Sequence, residues 1–317
     1  MTVRRLIATG RAATIVEETD PEALPEGHVR VRVAYVGVCH SDTALVAEGA
    51  AEFPRRLGHE VSGTVTESRA SAVPEGSRVS AYVGDGYATE VVLPAERAVL
   101  LHPACGLLDG ALAEPLACVI GGMEMLDLAR VPRVVLVGAG FMGLMALRYL
   151  VAAGHPVTVI EPRERARELA VGWGADRVLH PDEVPGTMNA GCPVVIEATG
   201  GAAGLQLAGD LAAIAGTLGI LGYHQSQGGR RTVDMESWNF RALRVLNLHH
   251  RDTGDLLRWM DRAQRLAAHG ILRPAELVDA RVGLEGLPAL FAGAHRPDSI
   301  KTVVDLAGQE GNERLGG

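Results

Sequence analysis

The sequence predicts an α/β protein in two parts, a strand-rich domain interrupted by a block of alternating strands and helices. Three observations predict it. Residues 1–120 hold short runs such as VRVRVAYV (29–36), VSGTVTES (61–68) and YATEVVLP (87–94), set off by Pro and Gly. Many short strands with turn signals read as a barrel-like β domain. Over 121–271, strand-like runs alternate with helix-like ones, which means a parallel sheet with both faces covered. The segment 272–317 turns β-like again and passes through KTVVDL. The α/β block is therefore inserted between two parts of one β domain.

The elements of the block follow in order. RVVLVGAG (133–140) is a buried strand ending in glycines, and FMGLMALRYLVAAG (141–154) a helix closed by glycine. VTVIE (157–161), the helical RERARELAVGWG (163–174), DRVLH (176–180) and VVIEATG (194–200) come next. A small-residue helix is expected over 202–215, then strands at 216–223 and 243–250, and a helix at 254–270. Asp20-Pro21 and Pro25-Glu26-Gly27 read as turns, and the Gly-rich tail from 307 as disordered.

Composition narrows the function classes. The chain has 317 residues, 47% of them apolar and 21% charged, which suits a globular protein of two domains. The net charge of −8 comes without a basic stripe, so nucleic acid is not an expected partner. Residues 1–20 lack the apolar core of a signal peptide, and no run of 18 apolar residues occurs, so no membrane span is expected. The four cysteines (Cys39, Cys105, Cys118, Cys192) have no disulfide-framework spacing, which favours a reducing, cytoplasmic location.

Gly138-Ala139-Gly140-Phe141-Met142-Gly143 matches G-x-G-x-x-G between a strand and a helix, the context in which that pattern binds a dinucleotide. Gly138 permits the tight turn, Gly140 lets the pyrophosphate approach the backbone, and Gly143 lets helix and strand pack closely. Phe141 and Met142 open the helix whose N-terminus faces the phosphates. Glu161 closes the second strand, where a carboxylate accepts hydrogen bonds from the ribose hydroxyls and favours NAD over NADP. Arg163 follows two residues later and pulls towards NADP.

Two polar clusters lie in the first β segment, GVCHSD (37–42) and LGHEVSG (57–63), and a third, AEPLAC, at 113–118. Cys39, His59 and a carboxylate supply a thiolate, an imidazole and an oxygen. Three such ligands with one open position make a catalytic zinc site. A lone cysteine reads equally as core filler, so spacing alone leaves both readings open.

In combination, GVCHSD, LGHEVSG, AEPLAC, VLVGAGFMG and VTVIE resemble the zinc-dependent alcohol dehydrogenases of the medium-chain dehydrogenase/reductase family, and the arrangement extends the resemblance over nearly the whole chain. The resemblance implies a GroES-like β-barrel catalytic domain and a Rossmann cofactor domain. It implies hydride transfer between a secondary alcohol (a polyol, sugar, cyclitol or specialised metabolite) and NAD(P), with one catalytic zinc per chain. Carried over by position, Cys39 and His59 are zinc ligands, and Glu60 binds the metal or moves on and off it. Glu114 falls where polyol dehydrogenases have a glutamate ligand. Ser41 is the hydroxyl that relays the substrate proton, and Asp42 braces the ligand histidine. Cys118 and Met142 lie near the nicotinamide, while Leu221 and Tyr223 line its carboxamide end. A homodimer or homotetramer is implied.

Two departures stand out. No cysteine lies between Cys39 and Cys105, so the lobe that binds a structural zinc in many relatives is missing. Ala44 occupies the position of a histidine that passes the proton to solvent in many alcohol dehydrogenases. This gap keeps a reductase of activated C=C bonds in view beside the alcohol dehydrogenase. A nucleotide-binding protein with a vestigial site is the third reading. Tyr223-His224-Gln225, Trp238-Asn239 and His249-His250-Arg251-Asp252 are further candidates for substrate or subunit contacts.

Overall fold

The structure, a computed structural model, describes residues 2–19, 23–49, 51–129, 131–293 and 298–308. The turn expected at Asp20-Pro21 and the tail from 309 lie outside the described residues. In chain order, β1 (Thr2–Gly10), β2 (Ala12–Thr19) and β3 (His28–Gly37) precede α1 (His40–Ala47). β4 (Ala51–Arg56), β5 (Glu60–Ser68), β6 (Arg78–Ala81), β7 (Glu90–Pro94) and β8 (Ala98–Leu100) lead to α2 (Leu107–Ala111) and α3 (Ala113–Glu124). The alternating run is β9 (Val134–Val137), α4 (Phe141–Ala152), β10 (Val157–Ile160), α5 (Glu164–Gly172), β11 (Arg177–Leu179) and β12 (Cys192–Glu197). It continues through α6 (Ala202–Leu211), β13 (Ala212–Ile220), α7 (Met235–Phe240) and β14 (Arg244–Asn247). Then come α8 (Thr253–Ala268), β15 (Val278–Val282), α9 (Leu287–Phe291) and β16 (Lys301–Asp305).

Two compact units result. One takes the chain up to Ala117 and from Leu257 onwards, and the other is Cys118–Leu256. The sequence places the second boundary after the helix, at 271/272, whereas here it falls inside α8. The later half of α8 is tied to the first unit through Gln264, whose side-chain oxygen accepts from the His102 N–H at 2.7 Å.

The first unit holds a three-stranded sheet in the order β2-β1-β4 and a larger sheet in the order β15-β16-β3-β5-β6-β8, with β7 also on β3. Its core is mostly valine and leucine: Val29, Val31 and Val36 of β3 pack with Val61, Val79, Leu93 and Val304. β-branched side chains suit a pleated, covered surface. The antiparallel pairing of β3 with β5 sets Gly37 opposite Glu60. A side chain at Gly37 would collide with the Glu60 carboxylate. The glycine is what lets that carboxylate lie over β3.

In the second unit, six parallel strands run in the order β11-β10-β9-β12-β13-β14. Chain order reverses between β9 and β12, and ligands of such sheets bind where strand order reverses, beyond the carboxyl ends of the strands. Helix α6 stops at Leu211 rather than 215. The Arg241 guanidinium, itself buried, donates to the carbonyls of Gly209, Asp210 and Ala212 at 2.8, 3.2 and 2.7 Å, so it takes up carbonyls the helix end leaves unpaired. The chain then turns directly into β13.

Candidate metal centre and cofactor turn

β3 ends at Gly37, and Cys39 stands at the N-cap of α1 with extended backbone (φ −92°, ψ 141°). The pairing with β5 brings the following strand's entry, His59 and Glu60, beside it. Ligand atoms of Cys39, His59 and Glu60 all lie within 4.8 Å of one another. Among the described residues this is the one such group. The set offers sulfur, nitrogen and oxygen, the donors a zinc ion takes with a fourth position left open, so the residues fit the metal.

The surroundings orient each ligand. Ser41 Oγ donates to Cys39 Sγ at 3.1 Å. Asp42 Oδ2 lies 3.6 Å from His59 Nδ1 and accepts from the Tyr87 hydroxyl at 2.9 Å. Burial raises the Asp42 carboxyl above its ordinary range, opposed by the nearby His59 charge. For His59, burial works against the charged ring, but the hydrogen bond to Cys39 and the charges of Glu114, Cys39 and Asp42 outweigh it and push the imidazole up to about 10. Zinc takes a neutral imidazole, so binding must expel this proton. Apparent zinc affinity is therefore expected to rise with pH between about pH 7 and 9, as the ion displaces protons from its ligands. Chelator competition across that range checks the slope, and a flat profile would contradict it.

Glu60 has a competing partner. Lys301, the chain's single lysine, places Nζ 2.8 Å from Oε1 and 2.6 Å from Oε2 of Glu60, and donates to the Val38 carbonyl at 3.1 Å. Both side chains are buried, at 1% and 6% exposure. Glu114, the second residue of α3, lies outside the three-residue group but acts on His59 through its charge. His40 is exposed at the start of α1, and Ala44 follows one turn on.

In the second unit, Gly138 (φ +100°) closes β9, and a side chain at Gly143 would strike its carbonyl. The turn thus has the shape expected of a pyrophosphate cradle. Phe141 is buried at the start of α4, with Met142 half-buried beside it. Glu161 differs from expectation. Its residue is only 3% exposed, and its oxygens accept from Ala139 N at 2.7 Å and from Arg163 N and Nε at 3.0 and 2.8 Å. Burial opposes its charge, but these donors win and hold the carboxyl below its ordinary range. The expected preference for NAD rests on an open carboxylate, and this one is closed by its own neighbours. Arg163 lies near the turn, with its Nη2 3.8 Å from where a Gly140 side chain would begin.

The remaining predicted residues are more scattered. Cys118 is half-buried within α3, Leu221 is buried just past β13, and Tyr223 is exposed, with its ring against His249 at 5.7 Å. His224 is not open for substrate. Nδ1 accepts from Arg231 Nε at 2.9 Å, so the proton sits on Nε2, which donates to the fully buried Glu197 at 2.9 Å. Trp238 packs against Gly209 as part of the core. Sequence reasoning passed over Tyr87, Lys301, Glu197 and Arg231. A solitary lysine in a chain rich in arginine was the one available signal.

The comparisons with known proteins agree with this geometry. Residues 25–119 match the alcohol dehydrogenase GroES-like domain, and residues 142–262 match the zinc-binding dehydrogenase domain. The chain is 26% identical over 203 residues to galactitol 1-phosphate 5-dehydrogenase of Escherichia coli K12, covering 54% of this chain and 58% of that protein. To L-threonine 3-dehydrogenase of Pyrococcus horikoshii it is 27% identical, over 75% of this chain and 80% of the relative. A zinc-binding dehydrogenase of Sinorhizobium meliloti solved with NADP superposes with a TM-score of 0.84 at 23% identity, covering 96% of this chain and 99% of the other. With a cysteine-histidine-glutamate group in a GroES-like unit and a glycine turn in a Rossmann unit, the chain belongs to the zinc-dependent alcohol dehydrogenases of the medium-chain dehydrogenase/reductase family.

Proposed function

We propose that the protein is a zinc-dependent, NAD(P)-dependent dehydrogenase of secondary alcohols of the polyol class. The observation that carries this reading is the convergence of Cys39, His59 and Glu60 within 4.8 Å. A bound zinc ion would act as a Lewis acid on the alcohol oxygen. Cys39 and His59 hold the metal, Glu60 or Glu114 supplies the carboxylate, and Ser41 takes the substrate's hydroxyl proton. Asp42 keeps His59 oriented. Gly138, Gly140 and Gly143 seat the pyrophosphate beside Phe141 and Met142. Glu161 and Arg163 form the adenosine end, and Cys118, Leu221 and Tyr223 the nicotinamide end. The polyol class is supported by the Glu114-Pro115-Leu116 sequence and by the sugar-alcohol phosphate dehydrogenase among the relatives.

The test is a panel of polyols, sugar phosphates, amino alcohols and simple secondary alcohols with NAD and NADP, run beside a ketone and an enal in the reductive direction. Oxidation of at least one vicinal diol or polyol, with carbonyl rather than C=C reduction, is the expected result. Turnover confined to the enal would sink the reading in favour of a C=C reductase.

The reading includes a homo-oligomer. Among the described residues β14 ends the parallel sheet with one side unpaired, and Ile214 of β13, Val245 of β14 and Phe240 of α7 (84% exposed) are exposed. An open strand edge with apolar neighbours is a template for a second copy. A cytoplasmic location is supported by four cysteines that form no disulfide. No helix among the described residues is long and apolar enough to cross a membrane.

A further inference from the structure

We propose that Tyr87 is a positioning residue for the metal centre, its hydroxyl fixing Asp42 and, through Asp42, the His59 ring. The proposal rests on the assignment of Cys39 and His59 as zinc ligands. Tyr87 is fully buried and lies just before β7, far in sequence from both α1 and the His59 turn. Its single O–H has two acceptors in reach, Asp42 Oδ2 at 2.9 Å and the Gly37 carbonyl at 3.4 Å. The shorter contact is to a carboxylate, so the hydroxyl donates there. The same Oδ2 faces His59 Nδ1 at 3.6 Å. The carboxylate is thus held between a phenol and an imidazole. With Nδ1 turned to Asp42, Nε2 is the ring nitrogen left for a metal.

The Tyr87 backbone serves the same turn. Tyr87 N–H donates to the Leu57 carbonyl at 3.0 Å, and the neighbouring Gly86 N–H donates to the Gly58 carbonyl at 2.9 Å. Gly58 has φ +100°, and a side chain there would come within 2.6 Å of Tyr87 N. The residue preceding His59 is therefore a glycine pressed against the Tyr87 backbone. The ring is fixed in turn by Phe291, edge to face at 5.7 Å and 84°. Backbone and hydroxyl together set where His59 leaves the turn and which way its ring faces.

Tyr87→Phe removes the hydroxyl and keeps the ring packing. Partners that orient a metal-binding histidine are worth about 10–100-fold in metal affinity. Zinc titration in chelator competition is expected to show a loss of about 10-fold or more, with NADH affinity unchanged. A zinc Kd within about threefold of wild type would overturn the proposal. Additivity separates positioning from general packing. In an Asp42→Ala background the hydroxyl has lost its side-chain acceptor, so Tyr87→Phe should then add no further loss of zinc affinity. Fully additive losses, or an equal loss in Phe291→Leu, would assign the effect to packing and overturn it. A wild-type chain that fails to bind zinc would instead strike down the ligand assignment beneath it.

Discussion

Cys39→Ser is expected to lose at least about a thousandfold in alcohol oxidation while NADH binds as before. A Lewis acid at the reacting oxygen contributes several kcal/mol of charge stabilisation, which is three orders of magnitude or more in rate. Cys39 belongs to the first unit, and the Gly138–Gly143 turn to the second. Its replacement therefore separates metal chemistry from nucleotide binding. Serine keeps the size and an acceptor for the Ser41 hydroxyl, which now rests 3.1 Å from Cys39 Sγ. It does not replace a thiolate as a zinc ligand at neutral pH. Steady-state turnover beside NADH fluorescence titration reads both quantities. Retention of more than about a tenth of wild-type turnover would rule out an essential thiolate, since a lost metal ligand costs far more than that.

Lys301→Met is expected to destabilise the fold by about 3–5 kcal/mol, the cost of leaving a buried charge without its partner. Glu60 is 1% exposed and has Lys301 Nζ within 3 Å of both carboxylate oxygens. Methionine fills the space of the lysine stem and supplies no charge. For a chain of this size such a loss lowers Tm by roughly 10 °C. Adding Glu60→Gln removes the orphaned charge and should return a large part of the loss, since replacing both members of a buried pair is often close to neutral. Thermal melts of the two single variants and the double variant give the comparison. A Lys301→Met chain as stable as wild type would show that the pair is not held in the folded protein.

Much of the fold was legible because its signals are local. The glycine turn at 138–143 couples a strand, a turn and a helix within a few residues, and the alternation after it fixes a parallel sheet. The metal centre was legible only through combined motifs. Cys39 and His59 are 20 positions apart, and it is the β3–β5 register, Gly37 against Glu60, that joins them. What escaped was long-range. Lys301 reaches Glu60 across 241 positions, and no local pattern announces it. Tyr87 reads as a strand aromatic, since only the folded chain shows that its hydroxyl meets Asp42. Glu161 has a partner that no sequence pattern announces. The residue stands where a ribose acceptor belongs, but Arg163, two positions on, closes it. His224 likewise carried the residue type of a binding site, and Glu197 and Arg231 occupy both its nitrogens.

The most direct test is the zinc content of the purified chain, measured by elemental mass spectrometry beside that of the Cys39→Ser variant. The account predicts about one zinc per wild-type chain, held through dialysis, and almost none in the variant. A wild-type chain carrying less than about half a zinc after supplementation, or a variant that keeps the full complement, would contradict it.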